Sequence, residues 1–283
     1  MADTYAYMGP AGTFSEEAAL RFASAACEDG VLVECASIAE VFALVDSGRA
    51  DYGVVPIENA LEGTVNATVD ALVFDRDDTR VLAETIVDIH QALLLAPGAM
   101  LADVTAVVSH PQATAQCRRW IAAHLPAVEV RAANSTAESA RLAASDPTIA
   151  GIGSERAAEL HGAQVYESGI EDFVGNQTRF VLVGHGRPRT GERYKTSLAL
   201  FMREDRPGTL LMILQEFAFA GFNLPKVESR PTKRALGDYM FIVDVDGHID
   251  DLPMRTAVDS LKLKLREVKV LGSYPTSRRG DDA

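Results

Sequence analysis

Along residues 1–183, short β-branched apolar runs alternate with amphipathic segments, the signature of a layered α/β domain. Runs at 4–8, 52–55, 106–108, 127–131, 149–152 and 179–183 read as buried strands. Several of the helical segments between them open on a capping box, a hydroxyl residue followed three positions later by Glu or Gln. Thr13 with Glu16, Ser37 with Glu40, Ser109 with Gln112, and Ser135 with Glu138 fit it. In the stretch after Ser109, the positions Ala113, Cys117, Trp120, Ile121 and His124 recur at helical spacing, which predicts one helix laying a stripe on the sheet. Ser109, His110 and Gln112 then fall where a strand turns into a helix, the usual mouth of an α/β cleft.

Residues 184–194, GHGRPRTGERY, are rich in glycine and charge and read as a linker. Past them the grammar changes. A strand over 195–203 precedes a helix running from Pro207-Gly208 to Phe219, which Gly221 stops. A strand over 223–228, a turn at Gly237-Asp238, a strand over 239–246, a helix from 253 to about 265 and a strand over 268–274 complete the set. That order is βαββαβ, the ferredoxin-like arrangement, in roughly 80 residues, an ordinary domain size. The expected organisation is thus a domain over 1–183, a linker over 184–194, a second domain over 195–275 and a polar, disordered tail over 276–283.

With 47% apolar and 24% charged residues, the 283-residue chain has the composition of a soluble globular protein. No apolar run is long enough to span a bilayer, and MADTYAYMGP lacks the basic start and apolar stretch of a secretory signal. A cytoplasmic protein is expected. Cys27, Cys35 and Cys117 contain no CxxC pair, which argues for buried or half-buried thiols rather than a disulfide framework or zinc site. The histidines show no metal-ligand spacing, so no metal is expected. A net charge of −13 disfavours a nucleic-acid or membrane-surface partner. It also requires any pocket for an anion to make its own positive potential, from arginines or helix N-termini.

Four stretches carry candidate chemistry. GPAGTFSEEAA at 9–19 combines glycines that allow close backbone approach with a helix start at Thr13, which fits either a small-anion site of carboxylate or phosphate size or a plain strand–turn–helix joint. VVPIENALEGTVNAT at 54–68 places Glu58 and Asn59 past a strand end, where they could orient a substrate or simply make a turn. In SHPQATAQC at 109–117, Ser109 and Gln112 fit helix caps, and Gln116 stacks one turn beyond Gln112. In NQTRFVLV at 176–183, Thr178 offers a hydroxyl and Arg179 a guanidinium able to clamp a carboxylate, though each is also ordinary strand chemistry.

The combination is more specific than its parts. GPAGTFS, PIEN, SHPQ followed by QC, NSTAES, GSERAAEL and TRF occur in this order, and the pattern resembles the catalytic domain of prephenate dehydratases over residues 4–183. RPGTLL at 206–211 and ESRP at 228–231 resemble the phenylalanine-sensing ACT domain attached to those enzymes. The resemblance implies a two-lobed α/β catalytic domain, similar to periplasmic binding proteins, with the active site in the cleft. A ferredoxin-like ACT domain would follow. The implied reaction is loss of CO2 and water from prephenate to give phenylpyruvate, with no cofactor. Thr178 would hydrogen-bond the departing hydroxyl, and Arg179 would hold a carboxylate. Asn59, Ser109 and Gln116 would contact substrate, Thr13 and Ser15 would supply hydroxyls, and Glu58 would be a proton relay. Since a free glutamate titrates at ~4.3, that last role needs burial. The chain departs from the family pattern at Gly175, where an acidic residue is common, at Ala60, where serine is, and in the second half, where GTLL at 208–211 replaces the more usual GALV.

The same resemblance implies L-phenylalanine bound between ACT domains of two subunits, in a homodimer or dimer of dimers. Gly208, Thr209, Leu210 and Leu211, with Glu228, Ser229, Arg230 and Pro231, would line that site, and Asn223 and Leu224 would lie near the ligand backbone. A chain ending near Arg187 is then expected to keep activity and ignore phenylalanine. Two other readings remain: arogenate dehydratase, acting on the amino analogue, and a non-catalytic amino-acid sensor, against which the Thr178–Arg179 pair argues.

Overall fold

The computed structural model describes residues 2–25, 30–76, 78–204 and 206–277, so Cys27 and residues 278–283 of the expected tail lie outside the described residues. Two compact units emerge, Met1–Asn66 with Thr85–Phe180, and Ala67–Glu84 with Val181–Ala283. The chain is therefore not cut once at 183, as the sequence suggested. Residues 67–84 join the C-terminal residues because their polar groups find partners there. Asp70 accepts from Arg230 Nη2 at 2.6 Å and Lys233 Nζ at 2.7 Å. Lys269 Nζ donates to the carbonyls of Val73 and Arg76, and Lys195 Nζ reaches both oxygens of Glu84 at 3.0 and 2.9 Å.

The first unit begins β1 (Thr4–Met8), α1 (Phe14–Ala25), β2 (Val31–Cys35), α2 (Ile38–Asp46), β3 (Tyr52–Asn59), β4 (Gly63–Thr64) and the start of α3 (Asn66–Asp70). The end of β5 (Arg80–Asp88) returns the chain to this unit. There follow β6 (Ala92–Leu95), β7 (Ala106–Ser109), α4 (Pro111–Gln116), α5 (Arg118–His124), β8 (Glu129–Ala132) and α6 (Thr136–Ser145). Then come β9 (Ile149–Gly153), α7 (Glu155–His161), β10 (Gln164–Ser168) and β11 (Gln177–Gly184), which leaves the unit after Phe180. One sheet has β1 between β2 and β3, all parallel, with β11 beside β3 and β5 beside β11. The other runs β10–β6–β9–β7–β8, with β7 parallel to both neighbours and β6 antiparallel to both. Helix α6 lies very close to this second sheet. A Cβ at Gly151 would stand 2.6 Å from the Ser139 carbonyl oxygen, and one at Gly153 would stand 2.8 Å from that of Thr136.

The second unit contains β12 (Tyr194–Phe201), α8 (Thr209–Phe219), β13 (Lys226–Pro231), β14 (Tyr239–Asp246), α9 (Leu252–Lys264) and β15 (Glu267–Pro275), the βαββαβ order that the pattern predicts. Its strands pair antiparallel in the order β13–β14–β12–β15. Leu198, Leu200 and Val243 of the sheet pack against Ile213, Phe217, Met254 and Leu261 of the helices.

Several expectations change. The helix after Ser109 is two helices, since the backbone at Cys117 leaves helical geometry at φ −111°, ψ 17°. Its cap is not Ser109 but His110, whose Nδ1 accepts from the Gln112 amide at 3.3 Å, with Pro111 at the first helical position. The strand expected at 127–131 forms as β8, yet all four of its residues are exposed, because it is an edge strand. The strand expected from 223 starts only after Pro225, which has no N–H to pair. Strands β2, β4, β5, β6 and β10 fall outside the runs read from the sequence. In β5 the apolar run is interrupted by Glu84, whose charge is matched by a lysine 111 residues away. Cys35 and Cys117 are buried free thiols, and burial, then the charges of Glu171 and Asp172, push the Cys117 thiol up to about 12. Among the described residues no helix is long and apolar enough to cross a membrane.

Candidate active site

Strand ends and helix starts of the first unit enclose a cavity of about 370 Å³, within the range of small-molecule sites. Met8 at the end of β1, Asn59 at the end of β3, and Thr178 and Phe180 of β11 form one wall. Residues 13–15, Ile38 and residues 134–136 bring in the N-termini of α1, α2 and α6. Gln91, His110, Gln112, Gln116 and Asn176 complete the polar lining.

Each helix start has a sequence cause. Ser37 Oγ and Ser135 Oγ accept from the amides of Glu40 and Glu138 at 3.2 and 2.9 Å, and those glutamates reach back to the amides of Ala36 and Asn134. At α1 the box is modified. Thr13 Oγ1 accepts from the Glu16 amide at 3.4 Å, while Glu16 Oε2 takes the Gly12 amide at 2.9 Å and Arg156 Nε at 2.8 Å. Burial alone would raise the Glu16 carboxyl; the Arg156 hydrogen bond, the Gly12 amide and the Arg156 charge outweigh it and hold the group below its ordinary range. Gly12 does not open space for a ligand. It sits at φ +86°, where a Cβ would come within 3.1 Å of Ala157 Cα, and its carbonyl accepts from Ser154 Oγ at 2.9 Å.

Asn59 and Thr178 form the most defined pair. Asn59 Oδ1 accepts from the amides of Leu61 and Glu62, each at 3.0 Å. A backbone N–H can only donate, so the other end of the amide must be the NH2 group. That Nδ2 donates to Asn176 Oδ1 at 2.9 Å, to the Gln177 carbonyl at 3.2 Å and to Thr178 Oγ1 at 2.9 Å. With its oxygen accepting from Asn59, the Thr178 hydroxyl has its own hydrogen left to donate.

Of the residues singled out in the sequence, Thr13, Ser15, Asn59, Gln116 and Thr178 line the cavity, whereas Glu58, Ser109 and Arg179 do not. Arg179 lies between Thr178 and Phe180 on β11 and so faces the opposite side of the sheet. There its Nε and Nη2 bind Glu58 Oε2 at 3.1 and 2.8 Å. Ser109 is fully buried, and its hydroxyl donates to the Ile152 carbonyl at 2.6 Å. Gln91, His110, Asn134 and Asn176 were not given roles from sequence. The only available signal was their position beside strand ends and helix caps.

Among the described residues the lining contains no Lys, Arg, Asp or Glu, and His110 is its one titratable side chain. The cap bond to Gln112 uses the Nδ1 lone pair, which puts the ring proton on Nε2. An anion in this cavity is met by partial charges: three helix N-termini, hydroxyls and side-chain amides. Among the described residues no three His, Cys, Asp or Glu side chains gather into a metal-binding group.

In the second unit, Gly208 caps α8 at φ 90° and Leu211 is exposed beside it. Asn223 Nδ2 donates to Asp246 Oδ2 at 2.9 Å. Arg230 is buried and paired with both Asp70 and Glu228.

Comparison with known proteins follows the same lines. The prephenate dehydratase family model matches residues 5–188. A prephenate dehydratase of Mycobacterium tuberculosis (strain H37Rv) is 40% identical over 282 residues, spanning 96% of this chain and 86% of that one. A crystal structure of prephenate dehydratase with L-Phe from Arthrobacter aurescens is 37% identical with a TM-score of 0.87, covering 99% of this chain and 91% of that one. GqqA, described as a quorum quenching acylase, is 27% identical with a TM-score of 0.83, covering 97% of this chain and 98% of its own. On the matched family model and these relatives, the chain belongs to the prephenate dehydratase family.

Proposed function

We propose that the cavity binds prephenate and removes its ring carboxylate and ring hydroxyl together, with Thr178 as the hydrogen-bond donor to the departing oxygen. The observation that carries this is the Asn59–Thr178 bond, which fixes the threonine oxygen as acceptor and leaves its hydrogen for the substrate. The bond to the ring carboxylate breaks, its electron pair enters the ring, and the ring C–O bond breaks on the other side. The products are CO2, water once a proton is taken up, and aromatic phenylpyruvate. Aromatisation drives the step, so positioned proton donation worth ~10²–10⁴-fold is sufficient help. The two carboxylates are held by the starts of α1, α2 and α6 rather than by Arg179. The Arg179–Glu58 pair instead braces β11 against β3, and Ser109 fixes β7 to β9.

The βαββαβ module acts in this reading as an ACT domain that binds L-phenylalanine where two copies of the chain meet. Support comes from its element order, from the exposed Leu210 and Leu211 at the start of α8, and from the L-Phe in the Arthrobacter aurescens complex. Gly208–Leu211, Asn223, Leu224 and Glu228–Pro231 would line the effector site in a homodimer or dimer of dimers, working in the cytoplasm. The ligand would shift the population between two arrangements of the cleft.

The test is phenylpyruvate formation by the purified chain from prephenate, with arogenate in parallel, each with and without L-phenylalanine. A third arm with an acylated quorum-sensing signal probes the acylase activity named for GqqA. Prephenate turnover that phenylalanine alters supports both halves. A folded protein that binds phenylalanine but turns over neither dehydratase substrate would sink the enzymatic reading in favour of a sensor.

A further inference from the structure

The two nitrogens of His110 meet different fates at the cavity wall. The residue is half-buried and lines the cavity, and its Nδ1 is committed to the Gln112 amide at 3.3 Å. A backbone amide only donates, so Nδ1 is the acceptor nitrogen and the ring carries its hydrogen on Nε2. That N–H has no hydrogen-bond partner among the described residues, and it is not among the side-chain atoms sealed from solvent. It stands at the end of the ring farthest from the backbone. The ring is also held in place, because Pro111 follows it at the first helical position and the Thr114 amide donates to the His110 carbonyl at 3.2 Å.

An accessible donor, preset in direction by its own helix cap, suits an anion in a cavity whose described lining has no Lys or Arg. We infer that His110 is a substrate-contacting residue whose Nε2–H donates to the side-chain carboxylate of the substrate. The inference rests on the prephenate reading above, and the chemistry of that substrate chooses between its two carboxylates. The ring carboxylate gives up its charge to the ring as CO2 leaves, so a further donor bonded to it would oppose the step. The carboxylate of the pyruvyl side chain keeps its charge from substrate to product. A bond to it holds the molecule equally well throughout, which lowers KM and leaves kcat alone.

The experiment replaces the two ends of the ring one at a time in the full chain. In His110→Asn, Oδ1 takes the place of Nδ1 and keeps the cap, while nothing reaches the position of the Nε2–H. In His110→Gln, the longer amide returns an N–H near that position and gives up the cap. Thermal midpoint, kcat and KM for prephenate and the inhibition constant of phenylpyruvate, which retains the pyruvyl carboxylate, are measured beside wild type. In His110→Asn, KM and the inhibition constant should rise together by ~10–100-fold, the worth of one hydrogen bond to a charged group. Its kcat and midpoint should stay at wild type. His110→Gln should recover most of the binding, with a midpoint lowered by the lost cap.

The reverse pattern, wild-type binding in His110→Asn and weakened binding in His110→Gln, reduces the histidine to a cap and overturns the assignment. Equal weakening in both variants overturns it, as does a fall in kcat of His110→Asn with binding unchanged. A raised KM with an unaltered phenylpyruvate constant puts the contact on the ring carboxylate and overturns it as stated. If His110→Asn does not fold, His110→Ser, which also caps and is also too short, carries the same readouts. Failure of both to fold makes the residue structural and ends the proposal. A wild-type chain that turns over no prephenate brings down the functional reading and this one with it. Wild-type turnover with His110→Asn binding as tightly as wild type brings down this one alone.

Discussion

Exchanging Asn59 for aspartate replaces one NH2 group by an oxygen and leaves the outline of the side chain intact. On one side nothing is lost, since the amides of Leu61 and Glu62 at 3.0 Å can donate to a carboxylate as well as to an amide oxygen. On the other side an oxygen now faces three acceptors, Asn176 Oδ1, the Gln177 carbonyl and Thr178 Oγ1, at 2.9, 3.2 and 2.9 Å. Asn176 can rotate its amide, and the Gln177 carbonyl keeps the Ala60 amide at 2.8 Å. Thr178 relieves its own clash by turning its hydrogen toward residue 59, and then has none for the substrate. The expected loss in kcat is the full worth of positioned proton donation, ~10²–10⁴-fold. KM should also rise, because a new carboxylate stands in a cavity that has to hold a dianion.

Steady-state phenylpyruvate formation and thermal midpoints, for wild type and variant, measure both effects. A variant retaining kcat within about threefold of wild type at neutral pH would refute the reasoning, given the ~10²-fold minimum expected.

Three shorter predictions follow. Thr178→Val, nearly isosteric, should lower kcat by ~10²-fold or more while KM and thermal midpoint stay close to wild type; a large KM change with preserved kcat would make the threonine a binding group only. Glu16 and Glu171 are both held below the ordinary value of 4.5, so their stabilisation is present above it and lost as pH falls through the depressed folded values. Urea midpoints taken across the acid range should be flat above that value and fall below it, and Arg156→Met should shrink the acid-sensitive part. A chain ending at Arg187 should be strongly destabilised rather than merely insensitive to phenylalanine. It lacks the lysines and arginine that pair with Asp70 and Glu84 and cap the carbonyls of Val73 and Arg76; a wild-type unfolding midpoint in that chain would show that residues 67–84 are held by something else.

The sequence determined the elements that depend on near neighbours. Short apolar runs placed β1 and β9, and the turn at Gly237-Asp238 marked the start of β14. Three of four capping boxes placed the helix starts that now surround the cavity, and the change of pattern at 184 separated an α/β stretch from a βαββαβ one. Ordered motifs were enough to point to the family and to Asn59, Gln116 and Thr178. The failures have one physical source, which is that the deciding partner is far away in the chain. Alternation along TRF shows that Thr178 and Arg179 face opposite sides, yet only the tertiary structure says which side is the cavity; it gives Arg179 to Glu58, 121 residues away. Ser109 fits a cap by spacing, but the Ile152 carbonyl on a neighbouring strand claims its hydroxyl. Residues 67–84 look like part of the first domain until Arg230, Lys195 and Lys269 bind them. A net charge of −13 posed the problem of holding an anion without saying how. Packing brings three helix N-termini to one cavity, whose lining carries no Lys, Arg, Asp or Glu among the described residues; the proposed anion site rests on that arrangement, which exists only once the strands are in register.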